Sequence, residues 1–242
     1  MDGMRTAIVT GGSRGIGRAT VECLTDRGFR VAFTYKNSEE LATELSARTG
    51  AVAIRADSGT EADVIRAVRV AEECLGGSID CLVNNAAVSS FSLFTDITTE
   101  EWNRIMAVNL TGTFLYTRAV IPGMIHKKSG RIINVSSMWG MVGAACEVHY
   151  ATSKAALIGM TKSLAKELGP SGITVNAVCP GVIDTDMNAS LDDMSRSELM
   201  DSAALCRMGE PGEVARAIAF LASDEASFIT GEIMNVSGGF VM

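Results

Sequence analysis

Apolar positions along this 242-residue chain fall into short runs separated by longer stretches with helical spacing. The run RTAIVT at 5–10 predicts a first strand. A glycine-rich stretch follows, then GRATVECLTDRG at 17–28, apolar at helical spacing and stopped by Gly28. RVAFTY predicts a second strand over 30–35, and 38–50 a helix opened by Ser38 and closed by Gly50. Further strands are predicted at 51–57, 79–85, 130–137, 173–180 and 231–239, and helices near 60–75, 99–126, 149–168 and 211–223. Runs such as AIVT, CLVN and RIINV are apolar on both faces, the pattern of strands in a parallel sheet covered by helices above and below. Right-handed crossovers then give a doubly wound sheet. The expected fold is α/β: a single Rossmann domain over 1–242, a parallel sheet of about seven strands with helices on both faces. The segment 188–208, NASLDDMSRSELMDSAALCRM, begins polar between a strand and a helix and is expected to be a substrate lid.

Composition agrees with a globular chain: 47% hydrophobic and 20% charged residues. No stretch of eighteen apolar residues suggests a membrane span, and the opening MDGMRTAIVT lacks a secretory pattern, so the expected location is cytoplasmic. A net charge of −7 argues against a nucleic-acid partner. The six cysteines are scattered, with no CxxC and no clustering with the two histidines, so no metal and no disulfide are expected.

Two stretches carry candidate chemistry. TGGSRGIG at 10–17 follows a strand and opens a helix, with Ser13, Arg14 and Ile16 set among Gly11, Gly15 and Gly17. Glycines there let a dinucleotide pyrophosphate approach the backbone at a helix N-terminus. The second strand ends in Tyr35 and Lys36 rather than in a carboxylate. With Arg14, Lys36 offers cations to a 2′-phosphate and no acid to repel it, which favours NADP(H) over NAD(H). YATSK at 150–154 sets Tyr150 and Lys154 on one helix face, a phenol beside an ammonium that would lower its pKa.

Taken in order, TGGSRGIG, NNAA (84–87), NVSS (134–137), YATSK, PGVIDTDM (180–187) and the closing SGGF resemble the short-chain dehydrogenase/reductase family. The resemblance spans about residues 4 to 242 and is strongest to the 3-oxoacyl-acyl-carrier-protein reductases. It implies that Ser137 binds a substrate carbonyl oxygen, that Tyr150 is the acid/base, and that Lys154 binds the nicotinamide ribose and lowers the tyrosine pKa. Asn109 would support a water linked to that lysine. Asn85 and Ala86 would flank the adenine-side ribose, and Asp57, with Ser58 beside it, the adenine. Pro180, Gly181, Ile183 and Thr185 would run along the nicotinamide and its phosphate. One departure is Ala87, where the family pattern has glycine; alanine disfavours positive φ. The family also implies a homotetramer, and the helices near 99–126 and 149–168 carry apolar residues beyond one stripe.

The substrate is less plainly written. MWGMVGAACEVH, between Ser137 and Tyr150, contains Trp139, Cys146 and Glu147. A carboxylate near the pocket suits a substrate ammonium, although Glu147 also sits where a helix start favours negative charge. The stretch SSMWGMVGAACEVHY, with PGMIHKKSG at 122–130, also resembles the elongation factor P 5-aminopentanone reductases, whose substrate carries a free amine. A carrier-protein substrate would instead call for basic residues at the pocket mouth, for which Arg104, Lys127, Lys128 and Arg131 are candidates. His149 is read as structural. A non-catalytic nucleotide sensor or scaffold on the same fold stands as a third class, against which the intact Ser137, Tyr150 and Lys154 argue.

Overall fold

The protein is described by a computed structural model covering residues 4–189 and 192–241. Strands β1 (Thr6–Val9), β2 (Arg30–Tyr35), β3 (Val52–Arg55), β4 (Cys81–Asn84), β5 (Gly130–Val135), β6 (Ile173–Pro180) and β7 (Ile233–Val236) form one sheet. The sheet order is β3-β2-β1-β4-β5-β6-β7 and every pairing is parallel. The order reverses between β1 and β4, so a crevice opens at the carboxyl ends of those strands, where such sheets bind ligands.

The two-sided apolar strands behave as their pattern demands. Ala7, Val9, Cys81, Val83, Ile133 and Val135 face one core, and their chain neighbours Ile8, Leu82 and Ile132 face the other. The first core is closed by helices α1 (Gly15–Asp26), α2 (Glu39–Thr49) and, late in the chain, one at Pro211–Leu221. The second is closed by α3 (Glu61–Leu75), a helix at Gly112–Lys127 and one at Val148–Leu168. In chain order the helices after α3 are α4 (Thr99–Met106), α5 (Gly112–Lys127), α6 (Trp139–Val142), α7 (Val148–Leu168), α8 (Asp193–Asp201) and α9 (Pro211–Leu221).

Two features differ from the pattern-based expectation. The helix expected across 99–126 is two, α4 and α5, joined by a wider π turn at Ala107–Thr111 that contains Asn109. Apolar spacing continues through that turn, so periodicity alone cannot show it. Within 188–208, Ser190 and Leu191 lie outside the described residues. Beyond them, α8 is followed by a segment tied back to the sheet end: Leu205 N–H donates to Gly238 O at 3.0 Å, and Gly209 N–H to Val182 O at 2.9 Å. No helix among the described residues is long and apolar enough to cross a membrane.

Candidate active site

The turn after β1 and the first turn of α1 form one wall of a groove of about 620 Å³. Gly11, Ser13, Arg14, Gly15, Ile16 and Gly17 all line it. Gly11 and Gly15 have φ of 65° and 53°, the left-handed region that suits glycine. A Cβ on Gly17 would lie 2.1 Å from Gly11 O, so only glycine allows the turn to rest this closely on the helix. The first turn of α1 holds no acidic residue and no side-chain cap, which leaves its N–H groups free for an anion. A pyrophosphate-bearing dinucleotide therefore fits this end of the groove.

The far end holds Tyr35, Lys36, Asp57 and Ser58, as the sequence suggested, and the floor holds Asn85 and Ala86. Lys36 is not a free cation, since its Nζ is 2.6 Å from Asp57. Burial would raise the Asp57 carboxyl, but Lys36 and the Gly59 N–H outweigh it and hold it below the usual range. Arg14 stands 3.8 Å from Asp186, both well exposed. Ala87 does not adopt positive φ, so alanine carries no backbone strain there. The sequence reading missed two threonines. Thr10 Oγ1 accepts from the N–H groups of Asn85 (3.0 Å) and Ala86 (2.9 Å), and Thr34 Oγ1 accepts from Gly11 N–H at 3.3 Å. Thr10 directly follows β1 and Thr34 is the next-to-last residue of β2, so both lie at the crevice end of their strands.

Beyond β5 and at the start of α7, Ser137, Tyr150 and Lys154 come together, all buried. Lys154 Nζ donates to Val135 O at 2.7 Å and lies 5.6 Å from the centre of the Tyr150 ring. The arrangement is more than a phenol beside an ammonium. The ammonium is directed at a main-chain carbonyl, and burial lowers its pKa to about 8. Tyr150 is pushed up to about 12, first by burial, with Ser137 opposing and the charge of Glu147 adding. In the protein itself the phenol is a protonated donor, not a phenolate.

Asn109 is fully buried and works through its side chain. Its Oδ1 accepts from Val88 N–H at 2.8 Å, and its Nδ2 donates to Val88 O at 2.9 Å and to Ser153 Oγ at 3.0 Å. The π turn thus places one amide between the loop after β4 and α7. Pro180 O accepts from Met138 N–H at 2.9 Å, and Gly181 N–H donates to Val236 O at 3.0 Å, so this stretch braces the Ser137 segment against β7. Ile183 is buried beside it, and Thr185 reaches the groove.

On the substrate side, the Trp139 ring meets Phe240 edge-on at 5.4 Å. Cys146 holds φ of 61°, rare for a residue other than glycine, and directly precedes Glu147. The Glu147 side chain caps nothing and has no ion-pair partner among the described residues. Burial raises its pKa. Of the basic candidates only Arg104 lines the cofactor groove. Lys127 and Arg131 line a separate hollow with the residues leading into β1, and Lys128 caps α5. Arg131 is the second residue of β5 whereas Ser137 follows its other end, which puts these residues at the opposite pole of the sheet.

Residues 11–241 match the family model described as enoyl-(acyl carrier protein) reductase. The chain is 43% identical over 245 residues to a 3-oxoacyl-[acyl-carrier-protein] reductase of Vibrio cholerae, covering 98% of each. It is 40% identical over 236 residues to an acetoacetyl-CoA reductase of Shinella zoogloeoides, covering 97% of this chain and 98% of that one. Among solved structures it is similar to a blue fluorescent protein from a metagenomic library in complex with NADPH, with a TM-score of 0.91, 38% identity and 98% of each chain covered. A Serratia marcescens short-chain dehydrogenase/reductase gives a TM-score of 0.91 at 36% identity, with 98% of this chain and 97% of that one covered.

Proposed function

Because the chain belongs to the short-chain dehydrogenase/reductase family, we propose that it is an NADPH-dependent reductase of ketones, acting on a 3-oxoacyl thioester carried by a protein or coenzyme. The observation that carries this reading is the buried Ser137, Tyr150 and Lys154 cluster beside a glycine-built groove. Tyr35, Lys36, Asp57 and Ser58 would hold the adenosine end, and Gly11 to Gly17 the pyrophosphate. Bound there, the reduced nicotinamide supplies a hydride. Ser137 and Tyr150 hydrogen-bond the ketone oxygen as negative charge builds on it. Tyr150, protonated at neutral pH, gives that oxygen its proton. Lys154 anchors the ribose and returns a proton to the phenol, a task helped by a pKa of about 8. Asn109 fixes the loop and α7 in register. The family points to a homotetramer; the sequence adds a cytoplasmic location and 188–208 as the lid.

A second reading rests on Glu147. A half-buried carboxylate, unpaired among the described residues, beside the proton donor suits a ketone that carries an ammonium, such as the 5-aminopentanone group on modified elongation factor P. The test is NADPH oxidation with an acetoacetyl thioester and with an amino ketone in parallel. Turnover of the thioester alone supports the first reading. Turnover of the amino ketone alone, lost in Glu147→Gln, supports the second. Turnover of neither ends both.

A further inference from the structure

Residues 88 to 92 run beside the first turns of α7, and alternate positions are bonded to what lies beneath. Val88 is held by Asn109, which also reaches Ser153. Ser90 Oγ lies 2.8 Å from His149 Nε2. Ser92 N–H donates to Cys146 O at 2.8 Å. The intervening Phe91 and the following Leu93 point outward, 79% and 61% exposed. The segment is thus a strap, pinned on its inner face and presenting apolar side chains on its outer one.

The central pin is unusual. His149 is completely buried one residue before Tyr150, and its Nδ1 has no hydrogen-bond partner among the described residues. A buried ring nitrogen left unpaired is a standing cost, which an apolar residue of similar volume would avoid. That cost has a reason if the single bond made by Nε2 is needed. The cofactor end of the same loop has its own anchors, since Thr10 holds Asn85 and Ala86, and Asn109 holds Val88. The Ser90 and Ser92 bonds are left to hold the half nearer Cys146, Glu147 and Tyr150.

We infer that His149 is a positioning residue for the substrate side of the site: through Ser90 it pins the 88–92 strap to the start of α7 and fixes the wall against which the ketone is held. The bond acts on substrate placement and leaves cofactor binding to the other anchors. In its kinetic form this rests on the ketone-reductase reading above. It assigns no proton transfer to His149.

The experiment compares Ser90→Ala, His149→Ala, His149→Gln and the double alanine variant, using acetoacetyl-CoA and NADPH. Each single alanine change is expected to lower kcat/KM for the ketone about tenfold, mainly through KM, because a loosened wall holds the ketone less tightly in ground and transition state alike. The Kd for NADPH should stay within about twofold of wild type. The double variant should be no worse than the worse single variant, since both remove one bond. His149→Gln, whose amide reaches the Nε2 position, should recover most of the loss. A wild-type ketone KM in Ser90→Ala overturns the proposal, as does a parallel loss of NADPH affinity. Should His149→Ala fail to fold, Ser90→Ala, which deletes only a hydroxyl, still decides. Amide hydrogen exchange supplies a readout independent of turnover. Ser92 N–H should exchange faster in Ser90→Ala while Val88 N–H is unchanged, and equal protection of Ser92 counts against the pin. A wild-type enzyme that reduces no ketone, yet shows this exchange pattern, defeats the functional reading and leaves the pin standing.

Discussion

Gly17→Ala gives a sharp test of the cofactor groove. The added methyl would lie 2.1 Å from Gly11 O and 2.6 Å from Asn85 Nδ2, whereas ordinary contact begins near 3.4 Å. The carbonyl belongs to the turn itself, so α1 and the turn must separate by about 1 Å, and no side-chain rotation relieves it. Asn85 Nδ2, which donates to Thr10 O at 3.0 Å and Gly11 O at 3.1 Å, is displaced as well. Overpacking of this kind costs about 1–3 kcal/mol, or about 2–12 °C in Tm for a chain of this size. The shift also falls on the N–H groups assigned to the pyrophosphate, so NADPH affinity should fall by at least about tenfold, or about 1.4 kcal/mol. Gly28→Ala is the control. It has φ of 81° but nothing within 4 Å of its added methyl, so it should lose about 1 kcal/mol of stability and no NADPH affinity. Nucleotide fluorescence titration and thermal melts read both variants. NADPH binding by Gly17→Ala at wild-type strength would refute the placement of the pyrophosphate.

Lys154→Met should abolish turnover while stabilising the cofactor-free protein at neutral pH. The folded pKa of about 8 against a reference of 10.5 means that the unfolded chain binds more protons between those values, so this burial penalty is full below pH 8 and fades as pH rises to 10.5. After allowing for the lost bond to Val135 O, the gain at pH 7 should be on the order of 2 kcal/mol in urea melts and should shrink toward pH 10. A variant less stable than wild type at pH 7 contradicts the argument. Glu147→Gln should speed thioester reduction or leave it unchanged and lower amino-ketone reduction by at least about tenfold, as a lost charge-assisted bond implies; equal effects on the two substrates count against Glu147 as a reader of charge. Light scattering should give a tetramer, consistent with exposed Phe114, Ile125 and Phe228, and a monomer would exclude that assembly.

The parallel, doubly wound sheet, the two-faced core and the groove were legible because each rests on local pattern, whereas the strand order came only with the structure. AIVT and CLVN are buried on both sides, and TGGSRGIG needs glycine where backbone meets backbone. What stayed hidden depends on side chains distant in sequence. The π turn at Asn109 keeps apolar spacing intact, and the strap joins Ser90 to His149 across 59 residues. Lys36 reads as a free cation in the sequence, yet it meets Asp57 once β2 and β3 pair. YATSK placed Tyr150 and Lys154 on one face, but could not show that Lys154 turns to Val135 O or that burial pushes the tyrosine pKa up.

The most direct measurement is stoichiometric: NADPH consumed and hydroxyl product formed from an acetoacetyl thioester, for wild type and Tyr150→Phe side by side, with NADPH affinity measured on both. Expected are equal NADPH binding, one alcohol per NADPH for wild type, and a rate lower by about 10²–10⁴-fold for the variant. Comparable turnover by Tyr150→Phe, or a wild type that binds NADPH and reduces neither this ketone nor an amino ketone, would contradict the proposed function.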